Sequence, residues 1–243
     1  MEAWGLTDPG KIRNQNQDYY DLSQMDDGSI LAVICDGMGG ARAGNIASRL
    51  AVDVFVKEVR RTMDTRLNDQ ELLKMLEDAA ALSNRAVFEH AQLSEEYVGM
   101  GTTLVAALVR EKKAYIVNIG DSRAYYLNAD GIQMITVDHS VVEMMVQRGE
   151  ITREEAKQHP VKNLITRAVG TEEQVLCDSF TRTLKPGDSI LLCSDGLSNM
   201  MADQEILFEV EHGADRSDCC KRLMMIAANR GAPDNVTVVL ITV

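Results

Sequence analysis

Aspartates recur at the ends of apolar runs in this 243-residue chain. The run over 30–35 ends on Asp36, with Gly37, Met38, Gly39 and Gly40 behind it. Val117-Asn118-Ile119-Gly120 ends on Asp121, and Leu191-Leu192-Cys193-Ser194 ends on Asp195 before Gly196. Asp234-Asn235 opens a fourth run over 236–243. Such runs read as buried strands, and glycine beside a strand end frees the backbone for a tight turn at positive φ. A single Asp-Gly pair is an ordinary hairpin turn. Four aspartates in the same kind of position predict one shared site. Carboxylate oxygens, with a backbone oxygen from Gly37, are hard ligands. The four histidines, His90, His139, His159 and His212, show no metal-ligand spacing. An oxygen-rich, imidazole-poor set suits Mg²⁺ or Mn²⁺ better than Zn²⁺ or Cu²⁺. Clustered carboxylates do not all stay ionised without cations, so two ions are expected rather than one. Two ions about 3.5–4 Å apart activate a water and stabilise in-line displacement at phosphorus. Arg13 offers a planar fork of donors matched to phosphate oxygens. No Ser-His-Asp spacing supplies a nucleophile, and Cys35 and Cys193 lie inside apolar runs, which argues against a cysteine route.

The elements that must position these groups follow from periodicity. Ile46, Leu50 and Val54, with Ala47, Ala51 and Phe55, predict an amphipathic helix from Asn45. A second helix is expected from Asn68-Asp69, with Leu72, Leu76, Ala79, Ala80 and Val87 inward. Strands are expected over 101–109, 114–119, 123–127 and 132–137, the last two forming a hairpin about Asn128-Ala129-Asp130-Gly131. Strands so closely spaced are antiparallel neighbours. Ser140-x-x-Glu143 and Thr152-x-x-Glu155 fit capping boxes, so a polar excursion over 140–160 carries two short helices split at Gly149 and suits a flap over a site. Strands over 180–184 and 188–193, helices over 203–210 and 217–229, and a central strand over 236–243 complete the chain. The expectation is one α+β domain over 1–243, with helices packed outside antiparallel sheets.

Composition narrows the function. Acidic residues outnumber basic ones 37 to 25, a net charge of −12, which disfavours nucleic acid. No apolar stretch approaches a membrane span, and the N-terminus shows no signal-peptide pattern. Five cysteines with no C-x-x-C pair read as reduced core residues, so a cytoplasmic location is expected.

Taken in order, the motifs resemble the metal-dependent serine/threonine protein phosphatases of type 2C, in their compact bacterial form. They run from Thr7-Asp8-x-Gly10-x-x-Arg13-x-x-Asn16-Gln17-Asp18 through Asp36-Gly37-Met38-Gly39-Gly40, Gly101-Thr102-Thr103, Gly120-Asp121-Ser122-Arg123 and Asp138-His139-Ser140. They end with Ser194-Asp195-Gly196-Leu197 and Asp234-Asn235-x-Thr237. The resemblance implies a four-layer α-β-β-α sandwich with the site at one end of the two sheets. It implies hydrolysis of phosphoserine and phosphothreonine monoesters by a water held between two Mn²⁺ or Mg²⁺ ions. Asp36 would bridge both ions, Gly37 would lend its carbonyl, and Asp195 and Asp234 would complete the pair. Asp121 would join Asp195 at a third, weaker ion, Asp18 would act through water, and Arg13 would bind the substrate phosphate. Phosphorylated proteins, targets of a serine/threonine kinase, are the implied partners, and a monomer is expected. Two positions depart from the family pattern: Gln17 stands where many members carry Glu, and Met38 where eukaryotic members carry a His acting as general acid. The proton donor is then expected to be water. The rival expectations are a catalytically silent relative acting as a binding module and a cation-sensing regulator.

Overall fold

Strand pairing in this chain is antiparallel both across tight turns and across longer connections that carry helices. The computed structural model describes residues 1–39, 43–213 and 215–243. Gly40, expected in the glycine turn, lies outside the described residues. The first half runs β1 (Glu2–Asp8), β2 (Asp18–Gln24), β3 (Ile30–Met38), α1 (Ala43–Thr62), α2 (Asp69–Ala91), β4 (Gly101–Thr102), β5 (Leu104–Arg110) and β6 (Lys113–Ile119). The second runs β7 (Arg123–Asn128), β8 (Gly131–Met134), α3 (Val141–Gln147), α4 (Arg153–Lys157), β9 (Asp178–Thr183), β10 (Ser189–Cys193), α5 (Asp195–Ser198), α6 (Asp203–His212), α7 (Cys219–Asn229) and β11 (Val236–Thr242). One sheet is ordered β1-β11-β10-β7-β8 and the other β2-β3-β5-β6-β9, with β4 paired to the end of β3.

Side-chain alternation explains the layering. On β3, Leu31, Val33 and Cys35 pack under α1 and α2, among Ala47, Ala51, Phe55, Leu72 and Leu76. Ile30, Ala32 and Ile34 point the other way, into a core shared with Ile190, Leu192, Val239 and Ile241 of the opposite sheet. The alternate row of that sheet, Leu191, Cys193, Val238 and Leu240, packs against Ile206 and Val210 of α6 and Leu223 and Ala227 of α7. The order is helix, sheet, sheet, helix, the α-β-β-α sandwich expected from the motifs.

Several boundaries differ from expectation, each for a local reason. β1 and β2 carry no apolar run, because each is an edge strand with mostly half-buried residues. The expected strand over 101–109 breaks at Thr103, whose N–H turns aside to the Asp36 carbonyl at 2.9 Å. β8 stops at Met134 rather than 137, because the Thr136 hydroxyl takes over the ladder and accepts from Ala124 N–H at 3.1 Å. Ser140 caps α3, but the Glu143 carboxylate does not complete a box; it holds Arg153 instead, at 3.1 Å. The Thr152–Glu155 box forms. Gly37 is also corrected: it is no positive-φ turn residue but lies within β3, paired with Thr102. Glycine is required there because a Cβ would run into the backbone oxygens of Gly44 and Gln17, where α1 starts against the strand.

Candidate active site

At one end of the sandwich the rows facing the opposite sheet change from apolar to polar. Asp36 continues the Ile30-Ala32-Ile34 row of β3, and Asp18 lies opposite it in register on β2. On the other sheet Thr237 continues the Val239-Ile241 row, Ser194 the Ile190-Leu192 row, and Ser122 the Ala124-Tyr126 row. Strand parity and sheet stacking therefore gather these groups, Ser194 and Ser122 each lying one residue beyond the end of its strand.

Asp18 is only 4% exposed. Its Oδ2 accepts from the Ser194 hydroxyl at 2.7 Å and from the Thr237 hydroxyl at 2.6 Å. Thr237 in turn meets the Thr7 hydroxyl at 2.7 Å, and Asn16 Nδ2 donates to Thr7 at 2.8 Å. The other oxygen, Oδ1, is buried and finds no donor. Burial pushes the Asp18 carboxyl up to about 6 against the pull of the two hydroxyls. Asp36 is held by its backbone: its N–H donates to Thr103 Oγ1 at 2.9 Å, and its carbonyl accepts from Thr102 Oγ1 at 2.8 Å. Thr103 Oγ1 also meets Ser122 Oγ at 2.7 Å, which links the two sheets beside the site. Burial first, then the charges of Asp18, Asp195, Asp121 and Asp234, hold the Asp36 carboxyl well above the usual range. Five aspartates are thus electrostatically one group.

The remaining members come from strand-end turns. Asp195 is the first residue of α5; Asn199 Nδ2 donates to its Oδ2 at 3.0 Å, while its buried Oδ1 has no donor. Burial and then Asp234 raise its pKa. Asp121 follows Gly120, whose φ of +109° selects glycine, and burial followed by the Asp195 charge pushes Asp121 up to about 7. Asp234 Oδ2 accepts from Arg13 Nη2 at 2.8 Å at the half-exposed rim. That bond, ahead of the more distant Asp36 and Asp195, raises the Arg13 pKa. Asn235 ties the Arg13 loop down: its Nδ2 donates to Pro9 O at 2.9 Å and Gln15 O at 3.0 Å, and its Oδ1 accepts from Gln17 N–H at 2.8 Å. All seven residues read from the sequence, Arg13, Asp18, Asp36, Gly37, Asp121, Asp195 and Asp234, lie at this end of the fold. The hydroxyls of Ser194, Thr237 and Thr103 and the amide of Asn235 were given no roles from sequence. Their signal was the inward row they extend.

The donor chemistry suits hard cations. Two buried carboxylate oxygens, on Asp18 and Asp195, lack donors, and both carboxyls lie within hydrogen-bonding reach of Asp36. Carboxylates in such contact share either a proton or a cation. Among the described residues no group of three or more His, Cys, Asp or Glu side chains stands arranged to hold a metal ion. Thiol chemistry has no support: burial pushes Cys193 up to about 12 and raises Cys35 as well.

A cluster of carboxylates at the end of a two-sheet sandwich, with an arginine at its rim, suits the hydrolysis of phosphate esters. The protein phosphatase 2C family matches residues 12–229. A serine/threonine phosphatase, stp, of Listeria innocua is 36% identical across 99% of this chain and 95% of its own. Protein phosphatase PhpP of Streptococcus pneumoniae is 37% identical across 100% and 97%. Among solved structures, the serine/threonine phosphatase Stp1 from Staphylococcus aureus superposes with a TM-score of 0.94 at 38% identity, covering 100% of this chain and 94% of that one. The catalytic domain of the serine/threonine protein phosphatase PstP, in complex with two manganese ions, does so with a TM-score of 0.83 at 33% identity, covering 98% and 96%. The chain belongs to the protein phosphatase 2C family and is a phosphoprotein phosphatase.

Proposed function

We propose that this enzyme hydrolyses phosphoserine and phosphothreonine monoesters in proteins by direct attack of water, with two Mn²⁺ or Mg²⁺ ions at the aspartate cluster. The observation that carries this reading is Asp36, a half-buried carboxyl among four other aspartates at the polar end of the core between the sheets. Asp36 would be the shared ligand, Gly37 would add its carbonyl, and Asp195 and Asp234 would complete the set. Asp121 and Asp195 would hold a third, weaker ion. Bound ions supply Lewis acidity, acidifying water and neutralising phosphoryl charge. The chain's own groups do the rest. Ser194 and Thr237 lock one oxygen of Asp18, leaving the other to accept a hydrogen bond from the attacking water and so orient it. Arg13, half-exposed beside Asp234, receives the phosphate oxygens as it enters from solvent. Met38 brings no proton, so water protonates the leaving alkoxide.

The serine/threonine names of the relatives and the manganese in the PstP structure support the substrate and the cofactor. The natural substrates would be targets of a serine/threonine kinase, and the enzyme would act as a monomer. Five free cysteines, four of them buried, and the absence among described residues of a helix long and apolar enough to cross a membrane support a cytoplasmic setting. A panel of phosphoserine, phosphothreonine and phosphotyrosine peptides, assayed across a Mn²⁺ titration, tests the proposal. Hydrolysis of the first two that vanishes with a chelator is expected. Undiminished turnover in the chelator would overturn it.

A further inference from the structure

His139 stands outside the aspartate cluster, and the mechanism above does not use it. Its surroundings are nonetheless built. The residue is 6% exposed, and both its backbone and its ring grip the turn that presents Asp121. Its N–H donates to the Gly120 carbonyl at 3.0 Å, and its Nδ1 accepts the Gly120 N–H at 3.0 Å. Both backbone polar groups of Gly120, the residue before Asp121, are therefore bonded to His139. With Nδ1 an acceptor, the ring's single proton sits on Nε2 and is donated to Asp178 Oδ2 at 3.1 Å. Arg167 Nη1, 3.1 Å from Nε2, has nothing to accept it there; its own bond goes to Asp178 Oδ1 at 2.7 Å. Asp178 thereby favours the tautomer that Gly120 requires, and Arg167 holds Asp178 in place.

The same residue closes the base of the excursion. Its carbonyl accepts from Thr166 N–H at 2.7 Å, next to the Ser140–Ile165 bridge where the excursion leaves and rejoins the sheets. Gly120 has little freedom of its own to supply the geometry. Its φ is +109°, and a Cβ there would press on Thr103, the residue that holds the Asp36 backbone.

We propose that His139 is a positioning residue for Asp121: the Nδ1 bond to Gly120 aims the carboxylate, and Asp178 with Arg167 holds the ring for that purpose. The proposal rests on the metal role given to Asp121 above. Supporting groups behind a metal ligand are worth roughly 10-fold or more in metal affinity, which sets the size of the effect sought.

The test uses three substitutions at one position. The Asn amide oxygen can stand where Nδ1 stands, whereas the longer Gln reaches toward Asp178 and leaves Gly120 N–H unpaired. His139→Asn should therefore retain slow amide exchange in the segment around Gly120 and a near-normal Mn²⁺ titration. His139→Gln and His139→Ala should speed that exchange and raise the Mn²⁺ needed for half-maximal turnover roughly 10-fold, with KM for p-nitrophenyl phosphate unchanged. Calorimetric Mn²⁺ binding should lose its weakest phase in these two variants alone. Asp121→Asn, measured beside them, separates the premises. If it shifts the titration and His139→Gln does not, the Asp121 reading stands and the positioning role is overturned. If Asp121→Asn leaves the titration unchanged, the metal reading of Asp121 falls, and this proposal with it. If Asn and Gln at position 139 are equally impaired, packing rather than the Gly120 bond is responsible, and the proposal is overturned.

Discussion

The floor and the rim of the site are built by different means. At the floor, Asp18 and Asp36 face each other on neighbouring strands, and their placement follows from β2–β3 register and the stacking of two sheets. They are ringed by the hydroxyls of Ser194, Thr237 and Thr103, whose own positions are set by the same stacking. At the rim, Arg13 and Asp234 hold each other with 54% and 38% of their side chains exposed, on loops tied by Asn235. Burial makes like charges costly at the floor, while water screens the opposite charges at the rim. The floor therefore stores electrostatic strain that ligands can relieve. The rim stores little and is free to exchange partners with a substrate.

That contrast is broken most directly at Asp36. Asp36→Asn should lower Mn²⁺-dependent turnover by on the order of 10³-fold or more, since charge stabilisation at the reacting centre is lost. The same change removes a carboxyl whose ionisation is opposed by burial and by the charges of Asp18, Asp195, Asp121 and Asp234. Without divalent cation the variant should melt higher than the parent, by roughly 2–4 °C per kcal/mol of repulsion relieved. A variant that is both inactive and less stable would show that the floor is held by attraction, not strained by repulsion.

The hydroxyl ring should respond less strongly. Thr237→Val keeps the β-branched shape and deletes a donor to the buried Asp18 oxygen. A stability loss of about 1–3 kcal/mol is expected in denaturant melts, with kcat lowered and KM unmoved. Ser194→Ala should act alike, and the double variant should fall short of the sum, because both hydroxyls serve one oxygen.

At the rim the expected effects move from kcat to KM. Arg13→Ala should raise KM for a phosphopeptide roughly 10-fold, the worth of a charge-assisted hydrogen bond, while the melting point stays within error. Arg13→Lys should restore part of the loss, since the charge returns without the fork. Wild-type kinetics in Arg13→Ala would leave the arginine as a partner of Asp234 only.

The same division governs what could be read from the sequence. Asp36, Asp121, Asp195 and Asp234 each close or open an apolar run, so the run itself announced them. Asp18 lies on an edge strand of half-buried residues, and only the resemblance pointed to it. Gly37 was misread because glycine signals a turn far more often than a close approach, and the approaching backbone of Gly44 belongs to a later element. Thr237 could have been found by counting inward from Val239 and Ile241. Its acceptor, 219 residues away, became identifiable only once the sheets were stacked. Two-residue periodicity carries the row each residue joins, but not which row of the other sheet it meets.

The smallest effect is expected at the excursion over 140–160. The excursion expected over 140–160 is closed at its base, where Val141 N–H donates to Leu164 O at 2.9 Å and Ser140 bridges Ile165. Inside it, Arg153 on α4 holds the buried Glu143 of α3, so the two helices form one unit on a narrow base. Met144 and Leu164 stand exposed on it, an apolar offering with no use in the chemistry of phosphate. Because Ser140 and Ile165 are antiparallel partners, an Asn-Gly turn can replace 141–164 without separating the flanking chains. The shortened enzyme should keep its activity on p-nitrophenyl phosphate within about two-fold, since the floor and the Gly120–His139 contact lie outside the exchanged segment. Activity on a phosphoprotein should fall several-fold more, through KM, as expected of a loop that contributes recognition rather than chemistry. Equal losses on the two substrates would assign the excursion to the support of the floor and erase the distinction between the two regions at this point.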